Sequence, residues 1–221
     1  MARSGTPALP AVLIVLTILI VAVEAVLQAA DHGWIGTLRW RSLAYQYGAF
    51  WPGLLDNWVP NFTGQPVAMF VTYAFLHSGF DHLAGNAVVL WTLGRLVCNR
   101  AGQRGFAVIY AVSALVGAVF FATLSPGTTP MIGASGALFG LAGAATGWLW
   151  LDRSTVRAGA AQVAGLILAL AVLNVALWWW QDGMLAWETH LGGFIAGFGL
   201  AGRTGRIGHP PRAPQVRQTP E

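Results

Sequence analysis

The sequence predicts an all-α polytopic membrane protein with six membrane-spanning helices. Only 9% of its 221 residues are charged and 56% are apolar, whereas a soluble globular domain carries about 25% charged residues. Apolar stretches of about the 20 residues that a membrane helix needs recur along the chain. The basic residues are all arginines concentrated in alternate connecting segments, a pattern typical of membrane topology and not of nucleic-acid binding.

The first apolar stretch follows a short N-terminal segment, 1–8, and covers about 9–30. A cleaved signal peptide is the alternative, since Arg3 precedes it and AVLQAA resembles a cleavage site. The stretch is long for a signal peptide, whose apolar region has about 7–15 residues, so a membrane span is favoured. A shorter apolar run lies at 67–76, and the other predicted spans are 79–97, 105–124, 135–151, 158–180 and 187–202.

The segment 31–66, between the first two spans, is too long for a simple connector. It combines four tryptophans with tyrosine, phenylalanine, proline and glycine. Aromatic rings favour the headgroup region of a bilayer, so we expect a partly helical loop lying in the membrane interface. The six spans and this loop form one predicted membrane domain, 9–202, followed by a polar, arginine-rich tail, 203–221.

The arginines predict the orientation. With the N-terminus inside, nine of the twelve fall on inner segments, and only Arg39 and Arg41 fall on an outer one. The nine are Arg3, Arg100, Arg104, Arg153, Arg157, Arg203, Arg206, Arg212 and Arg217. By the positive-inside rule both termini are cytoplasmic. A single cysteine, Cys98, excludes an intramolecular disulfide and a cysteine-based metal site.

Polar side chains inside membrane spans are costly and mark candidate functional sites. Spans two, four and six all run inward, so their first turns share one depth near the outer face. His82 and Asn86 begin span two, Ser135 begins span four, and His190 begins span six. A nucleophile, a base and two hydrogen-bond donors are what a buried hydrolytic site requires.

Ser135 lies in the sequence GASGALFG. Its glycines have a simpler explanation in close helix packing, through Gly133, Gly136 and Gly140. Yet span four is short, and the segment 125–133 before it is uncharged and rich in proline and glycine. Ser135 is therefore expected below the membrane surface at a helix N-terminus, where negative charge is favoured.

His190 could equally donate to a neighbouring carbonyl as a structural histidine. Gly193 and Gly197 follow it at the spacing of a helix-packing face. If that face meets the glycines of span four, His190 reaches Ser135 as a general base. Phe139, four residues after Ser135, is placed to pack its ring on His190, although core packing explains it equally well.

His82 and Asn86 are four residues apart and share one helix face. His77 would supply a third ligand for zinc, but no HExxH-type spacing or inward carboxylate completes a metal site. We favour a role as donors to an oxyanion and expect neither metal nor cofactor. Glu24 and Asn174 are interpreted as structural hydrogen-bonding groups.

Together these motifs resemble the rhomboid family of intramembrane serine proteases. The resemblance rests on His77-x4-His82-x3-Asn86, Gly133-x-Ser135-Gly136 and His190-x2-Gly193-x3-Gly197, in the family's order, and covers nearly all of 67–202.

The resemblance implies a six-helix bundle that cleaves transmembrane proteins by a Ser-His dyad. Ser135 would be the nucleophile and His190 the base and then the acid. His82, Asn86 and the Ser135 backbone N–H would form the oxyanion hole. The chain departs from the family at Ala68 and Met69, where many members have Trp-Arg, and at Cys98, where an acid is common.

The expected partners are therefore transmembrane substrates and the lipid bilayer, with no nucleic acid. The expected location is a bacterial inner membrane, with the site opening to the outer face. One alternative is a non-catalytic rhomboid-like protein that binds and escorts membrane clients, although such relatives typically lack the serine or the histidine. A small transporter or channel is a further alternative.

Overall fold

The computed structural model describes residues 9–125, 129–152, 156–180 and 183–204. The predicted N-terminal segment, most of the predicted tail and part of the 125–133 segment lie outside these ranges, as do Arg153 and the side chains of Arg157 and Trp180. Seven helices occupy the described residues. They are α1 (Ala11–Asp31), α2 (Trp40–Gly48), α3 (Gln65–Thr72), α4 (Phe80–Leu124), α5 (Ser135–Asp152), α6 (Val156–Trp180) and α7 (Trp187–Thr204).

Three of the described helices are long and apolar enough to cross a membrane. They are α1, the 45-residue α4 and the segment Ala160–Trp179 of α6. Their apolar surfaces face outward, and only 6% of the α6 segment is buried inside the protein. The chain is thus an all-helical integral membrane protein, while the count of six spans stays a prediction.

Helix α4 covers both the second and the third predicted spans. We expected a connector at 98–104. The backbone is helical on both sides of Gly102, and Gly102 itself has non-helical angles (φ +73°, ψ 172°), so α4 consists of two helical arms that meet there. A left-handed conformation is one that glycine adopts readily. Each arm is about 22 residues long, or about 33 Å at 1.5 Å per residue. The connector between the two predicted spans is therefore shorter than expected and is centred on Gly102.

The centre of the fold is formed by α4, α5 and α7, with α1 against α4 and α6 at the periphery. Its apolar core includes Leu90, Phe106, Ile109, Leu141 and Trp148. The indole N–H of Trp148 donates to the Ala201 carbonyl at 2.8 Å, which joins α5 to α7. Buried Cys98 is part of the same core.

The predicted outer loop contains α2 and a 3-10 turn, Pro52–Leu55. Buried Glu24 of α1 accepts from both terminal nitrogens of Arg41, at 2.8 and 3.1 Å. Arg41 also donates to Asp31 at 2.6 Å and to the His77 carbonyl at 2.9 Å. The Tyr45 hydroxyl donates to the same carbonyl at 2.8 Å. These contacts bind α2 to α1 and to the chain that leads into α4.

Charge and burial shift the pKa values in this network. Burial alone would lower the pKa of Arg41, but its hydrogen bonds to Glu24, Tyr45 and Asp31 outweigh this and raise it. Burial raises the pKa of Tyr45, with Arg41 opposing the shift. Glu24, interpreted as a simple hydrogen-bonding group, is in fact an ion-pair partner.

Candidate active site

Ser135 is the first residue of α5, as the sequence predicts for a nucleophile at a helix N-terminus. The first N–H groups of a helix have no partner within the helix. Together with the helix dipole they favour negative charge close to the Ser135 side chain. The preceding segment is held by an isolated antiparallel bridge between Met131 and Phe50, with both backbone N···O distances at 2.9 Å.

His190 lies in the first turn of α7 and is 3% exposed. Its Nε2 is 2.8 Å from the Oγ of Ser135, fifty-five residues earlier in the chain. This is hydrogen-bond distance for a nucleophile and its general base. The structure thus brings together the two residues that the sequence singled out.

Glycines make this approach possible by letting α5 and α7 pack backbone to backbone. A Cβ on Gly193 would overlap the Gly136 carbonyl, and one on Gly197 would overlap the Gly140 carbonyl. The two glycine faces predicted from the sequence therefore lie against each other. Their contact sets the separation of the helix ends that carry Ser135 and His190.

Phe139 stacks on the imidazole ring of His190. Its ring centroid is 4.1 Å from that of His190, and the two planes are 7° apart. Because Phe139 lies one turn after Ser135 on α5, the same helix holds the nucleophile and packs against the imidazole face. The ring packing considered from the sequence is present in the structure.

The second nitrogen of His190 has a partner that sequence reasoning did not identify. Its Nδ1 is 2.6 Å from the Oδ1 of Asn174, on α6. The Asn174 amide also donates from Nδ2 to the Leu170 carbonyl at 3.0 Å. Only its place within an otherwise apolar stretch of 163–177 could have marked Asn174.

His82 lies in the first turn of α4, with its ring facing the chain before Ser135. The Ser78 backbone N–H donates to His82 Nδ1 at 3.3 Å, so the proton of the neutral ring belongs on Nε2. That nitrogen faces Gly133, where an added Cβ would lie 2.8 Å from it. His82 is therefore oriented to present an N–H close to the helix end that carries Ser135.

Asn86 lies one turn further along α4 and is 6% exposed. Its Nδ2 is buried and has no hydrogen-bond partner among the described residues. The same nitrogen would lie 3.7 Å from a Cβ on Gly133. A buried amide donor without a partner costs free energy, and here it faces the same spot as His82 Nε2.

Gly133 keeps this spot open. Its φ of +113° is strained for residues with a side chain, and its N–H donates to the Tyr73 carbonyl at 2.9 Å. The glycine was predicted only as a helix-packing residue. The structure places it beside the two donors instead, between α4 and the start of α5.

His77 does not join this group of donors. Its ring is completely buried and lies edge-on to His82, with centroids 5.0 Å apart. Its carbonyl accepts from Arg41 and Tyr45, which gives it a place in the outer-loop network. Within the described ranges, no group of three or more His, Cys, Asp or Glu could hold a metal ion.

A cavity of about 530 Å³ lies on the α6 side of His190. Apolar side chains of α5, α6 and α7 form nearly all of its lining, and His190 and Asn174 contribute polar atoms. Such a cavity suits an apolar segment brought up to a polar pair of side chains.

Comparison with known proteins agrees with this geometry. A rhomboid domain family model matches residues 64–206, which include every site residue described above. The chain belongs to the rhomboid family. Rhomboid protease GluP of Bacillus subtilis is 30% identical over 135 residues, which cover 61% of this chain and 25% of that protein.

Plant relatives show a similar level of likeness. RHOMBOID-like protein 5 of Arabidopsis thaliana is 33% identical over 59% of this rhomboid chain and 41% of the relative. RHOMBOID-like protein 2 of the same plant is 31% identical over 75% of this chain and 45% of the relative. The chain thus spans less than half of each of these relatives. The family includes proteins named as proteases. The long apolar helices of this chain place it in a lipid bilayer.

Proposed function

We propose that this rhomboid is an intramembrane serine endopeptidase that uses Ser135 and His190 as a catalytic dyad. The observation that carries the proposal is the 2.8 Å contact between Ser135 Oγ and His190 Nε2. The hydroxyl is weakly nucleophilic by itself and needs a base at this distance to take its proton. Ser78 Oγ also lies 3.1 Å from His82 Nδ1, but these two residues are four apart in one segment, whereas Ser135 and His190 come from two different helices.

The proposed reaction uses these two atoms in turn. Ser135 Oγ attacks the carbonyl carbon of the scissile peptide bond while His190 Nε2 takes the hydroxyl proton. The resulting imidazolium then donates that proton to the amine as the C–N bond breaks, which leaves an acyl-enzyme on Ser135. Water, deprotonated by His190, attacks the ester carbon, and the returning proton restores the Ser135 hydroxyl.

Three donors would stabilise the negative oxygen of the tetrahedral intermediates. They are the Asn86 side-chain amide, His82 Nε2–H and the Ser135 backbone N–H. Support comes from the unpartnered, buried Nδ2 of Asn86 and from the His82 ring, whose Nδ1 already accepts from Ser78. An oxyanion beside Ser135 would also lie at the positive end of the α5 dipole.

The substrates would be transmembrane or membrane-adjacent segments of other proteins. An apolar cavity next to His190 supports this, as does the bilayer around the outward-facing helices. By resemblance to the family, small residues at the cleavage point and helix-destabilising residues beyond it are expected. The scissile backbone has to unwind because a peptide carbonyl inside a helix is already hydrogen-bonded.

The arginine distribution supports a proposed topology of six spans with cytoplasmic termini at 1–8 and 203–221. In this topology the dyad opens to the outer face of a bacterial inner membrane. Helices α5 and α7 would run inward from their first turns, and the outer loop 31–66 would lie in the interface.

The test is covalent labelling of purified protein in detergent by a fluorescent fluorophosphonate. Wild type is expected to be labelled, and Ser135→Ala and His190→Ala are not. Ser113→Ala and His32→Ala are matched controls, because the buried Ser113 hydroxyl has no hydrogen-bond partner among the described residues and His32 is exposed in the outer loop; both should label like wild type. Equal labelling of all five folded proteins would refute the dyad and favour the escort alternative.

The oxyanion hole has its own test in the cleavage of a model transmembrane substrate. Asn86→Ala should lower the cleavage rate by about 10²–10³-fold, the usual cost of one such donor, while the protein stays folded. Thr92→Ala, on the same helix and hydrogen-bonded only to the Val88 carbonyl among the described contacts, should cleave at the wild-type rate. An equal rate for both variants would remove Asn86 from the mechanism.

A further inference from the structure

Asn174 is the one hydrogen-bonding side chain in the apolar stretch 163–177 of α6. This helix is peripheral, and only 6% of its apolar span is buried inside the protein. A polar group at membrane depth is costly unless it is hydrogen-bonded. Both ends of the Asn174 amide are bonded, Nδ2 to the Leu170 carbonyl at 3.0 Å and Oδ1 to His190 Nδ1 at 2.6 Å.

The first of these bonds decides which way round the amide lies. The Leu170 carbonyl can only accept, so the Asn174 nitrogen must be the group that faces it. The oxygen then faces His190, and an amide oxygen can only accept. The His190 nitrogen at this contact therefore carries a proton.

A proton on Nδ1 determines the other nitrogen of the neutral ring. In neutral imidazole one nitrogen is a donor and the other an acceptor. With Nδ1 protonated, Nε2 has a free lone pair, and it is Nε2 that lies 2.8 Å from Ser135 Oγ. This is the tautomer that can accept the serine proton; the opposite tautomer would point an N–H at the hydroxyl.

We propose that Asn174 is a positioning residue that holds His190 in the Nδ1–H tautomer, so that the site works as a Ser135–His190–Asn174 triad. The proposal rests on the dyad proposed above and adds a third member from a different helix. The amide plays the part that a carboxylate or amide plays in other hydrolytic triads, orienting the ring without taking its proton. Phe139 restrains the face of the same ring, and Asn174 restrains its edge.

The tautomer can be measured without any turnover. In protein labelled with ¹⁵N-histidine, the ring nitrogens of His190 are assigned by their loss in His190→Ala. Wild type is expected to show the neutral ring with its proton on Nδ1. Asn174→Leu has nearly the same size but no acceptor, and should shift the ring toward the Nε2–H form, which can donate to Ser135. An unchanged tautomer in Asn174→Leu, or an Nε2–H ring in wild type, would overturn the proposal.

Labelling rates give the second readout. Asn174→Leu should slow fluorophosphonate labelling of Ser135 by about 10- to 100-fold, less than the roughly 10⁴-fold cost of the wrong tautomer in a charged triad. Asn174→Asp keeps an acceptor and should recover most of the rate. Leu173→Ala, a neighbouring and half-exposed residue of α6 that does not line the cavity, should label as wild type does.

The two proposals can fail separately. If wild type is not labelled while the tautomer still depends on Asn174, the serine mechanism is wrong and the positioning contact is real. If wild type and Asn174→Leu label at the same rate, the dyad stands and Asn174 has no part in it. Slow labelling in both Asn174→Leu and Asn174→Asp, with the tautomer unchanged, would show that Asn174 acts only through packing.

Discussion

Gly197 lies directly against the carbonyl of Gly140, with no room for a methyl group between α7 and α5. The contact lies about two turns of helix beyond His190 on α7 and between one and two turns beyond Ser135 on α5, yet it sets how closely the two helices approach. The same backbone packing recurs nearer the site, where Gly193 lies against the Gly136 carbonyl. The position of Ser135 relative to His190 therefore depends on glycines, which have no side chain to separate the two helices.

Substituting Gly197 by alanine should separate α5 from α7. We expect Gly197→Ala to destabilise the protein by about 1–3 kcal/mol, the usual cost of overpacking, and to slow the labelling of Ser135. Gly199→Ala is the matched control on the same helix, because an added Cβ there meets no atom within 4 Å. Thermal unfolding in detergent and the labelling rate measure the two effects. Equal behaviour of the two variants would contradict this account of the packing.

Gly133→Ala should damage the site more than the fold. Its Cβ would lie 2.8 Å from His82 Nε2, where the oxyanion is proposed to bind, so we expect cleavage to fall by at least about 10-fold. The φ of +113° adds about 1–3 kcal/mol of backbone strain. Substrate cleavage and thermal unfolding are measured together.

Gly33→Ala is the control that separates the effect of backbone strain from the effect of a methyl group in the space beside His82. Gly33 also has a positive φ, +71°, but an added Cβ there meets nothing within 4 Å. It should show backbone strain without a loss of cleavage. If Gly133→Ala cleaves as fast as Gly33→Ala does, the space beside His82 is not where the reacting carbonyl lies.

The outer-loop network predicts that two carboxylates in contact with Arg41 contribute differently to the free energy of unfolding. Glu24 is 2% exposed and bonds both terminal nitrogens of Arg41, whereas Asp31 is 31% exposed and bonds Nε. Removing one partner of a buried ion pair leaves the other charge uncompensated. Glu24→Gln should therefore lower the free energy of unfolding by about 1–3 kcal/mol, and Asp31→Asn by well under 1 kcal/mol. A larger loss in Asp31→Asn would be inconsistent with this ranking, and chemical denaturation in detergent decides it.

The Arg100–Asp152 ion pair predicts a small dependence of stability on pH. Asp152 ends α5, beyond the predicted span, and its hydrogen bond from Arg100 lowers the pKa of the carboxyl. Its contribution is complete above the unfolded pKa, about 3.9, and is lost as the pH falls through the lower pKa of the folded protein. For an exposed pair we expect under about 1 kcal/mol.

The measurement is the difference in Tm between wild type and Asp152→Asn. The difference should be greatest near neutral pH and should vanish as the pH falls below the ordinary range of aspartate. A gap that stays constant from pH 7 down to pH 3 would show that Asp152 acts through something other than its charge.

The sequence singled out the candidate site residues because membrane spans have few polar side chains. In an apolar stretch a serine or histidine stands out, and the predicted inward direction of spans two, four and six would place Ser135, His82, Asn86 and His190 at one depth. Glycine spacing likewise indicated which helix faces could approach. The all-helical architecture follows from the lipid environment, because backbone groups in lipid must be hydrogen-bonded within their own segment.

Other features depend on helix rotation and on contacts far apart in the sequence. The local sequence does not indicate whether Asn174 faces His190 or lipid. Each residue of a helix is rotated by 100° from the one before it, and the neighbours of Asn174 are uniformly apolar, so they do not distinguish an inner face from an outer one. The pairing of Glu24 with Arg41 joins a helix to a loop seventeen residues away. The connector between spans two and three is shorter than expected because the residues on both sides of Gly102 are helical.

By itself the sequence determined the class of protein and the set of candidate site residues, because composition and position along a predicted span can be read from the order of residues alone. Only the tertiary structure decided which of those side chains touch. The 2.8 Å contact of Ser135 with His190 and the 2.6 Å contact of His190 with Asn174 arise from the packing of three helices. A hydrogen bond tolerates errors of only a few tenths of an ångström, and helix packing alone supplies that precision.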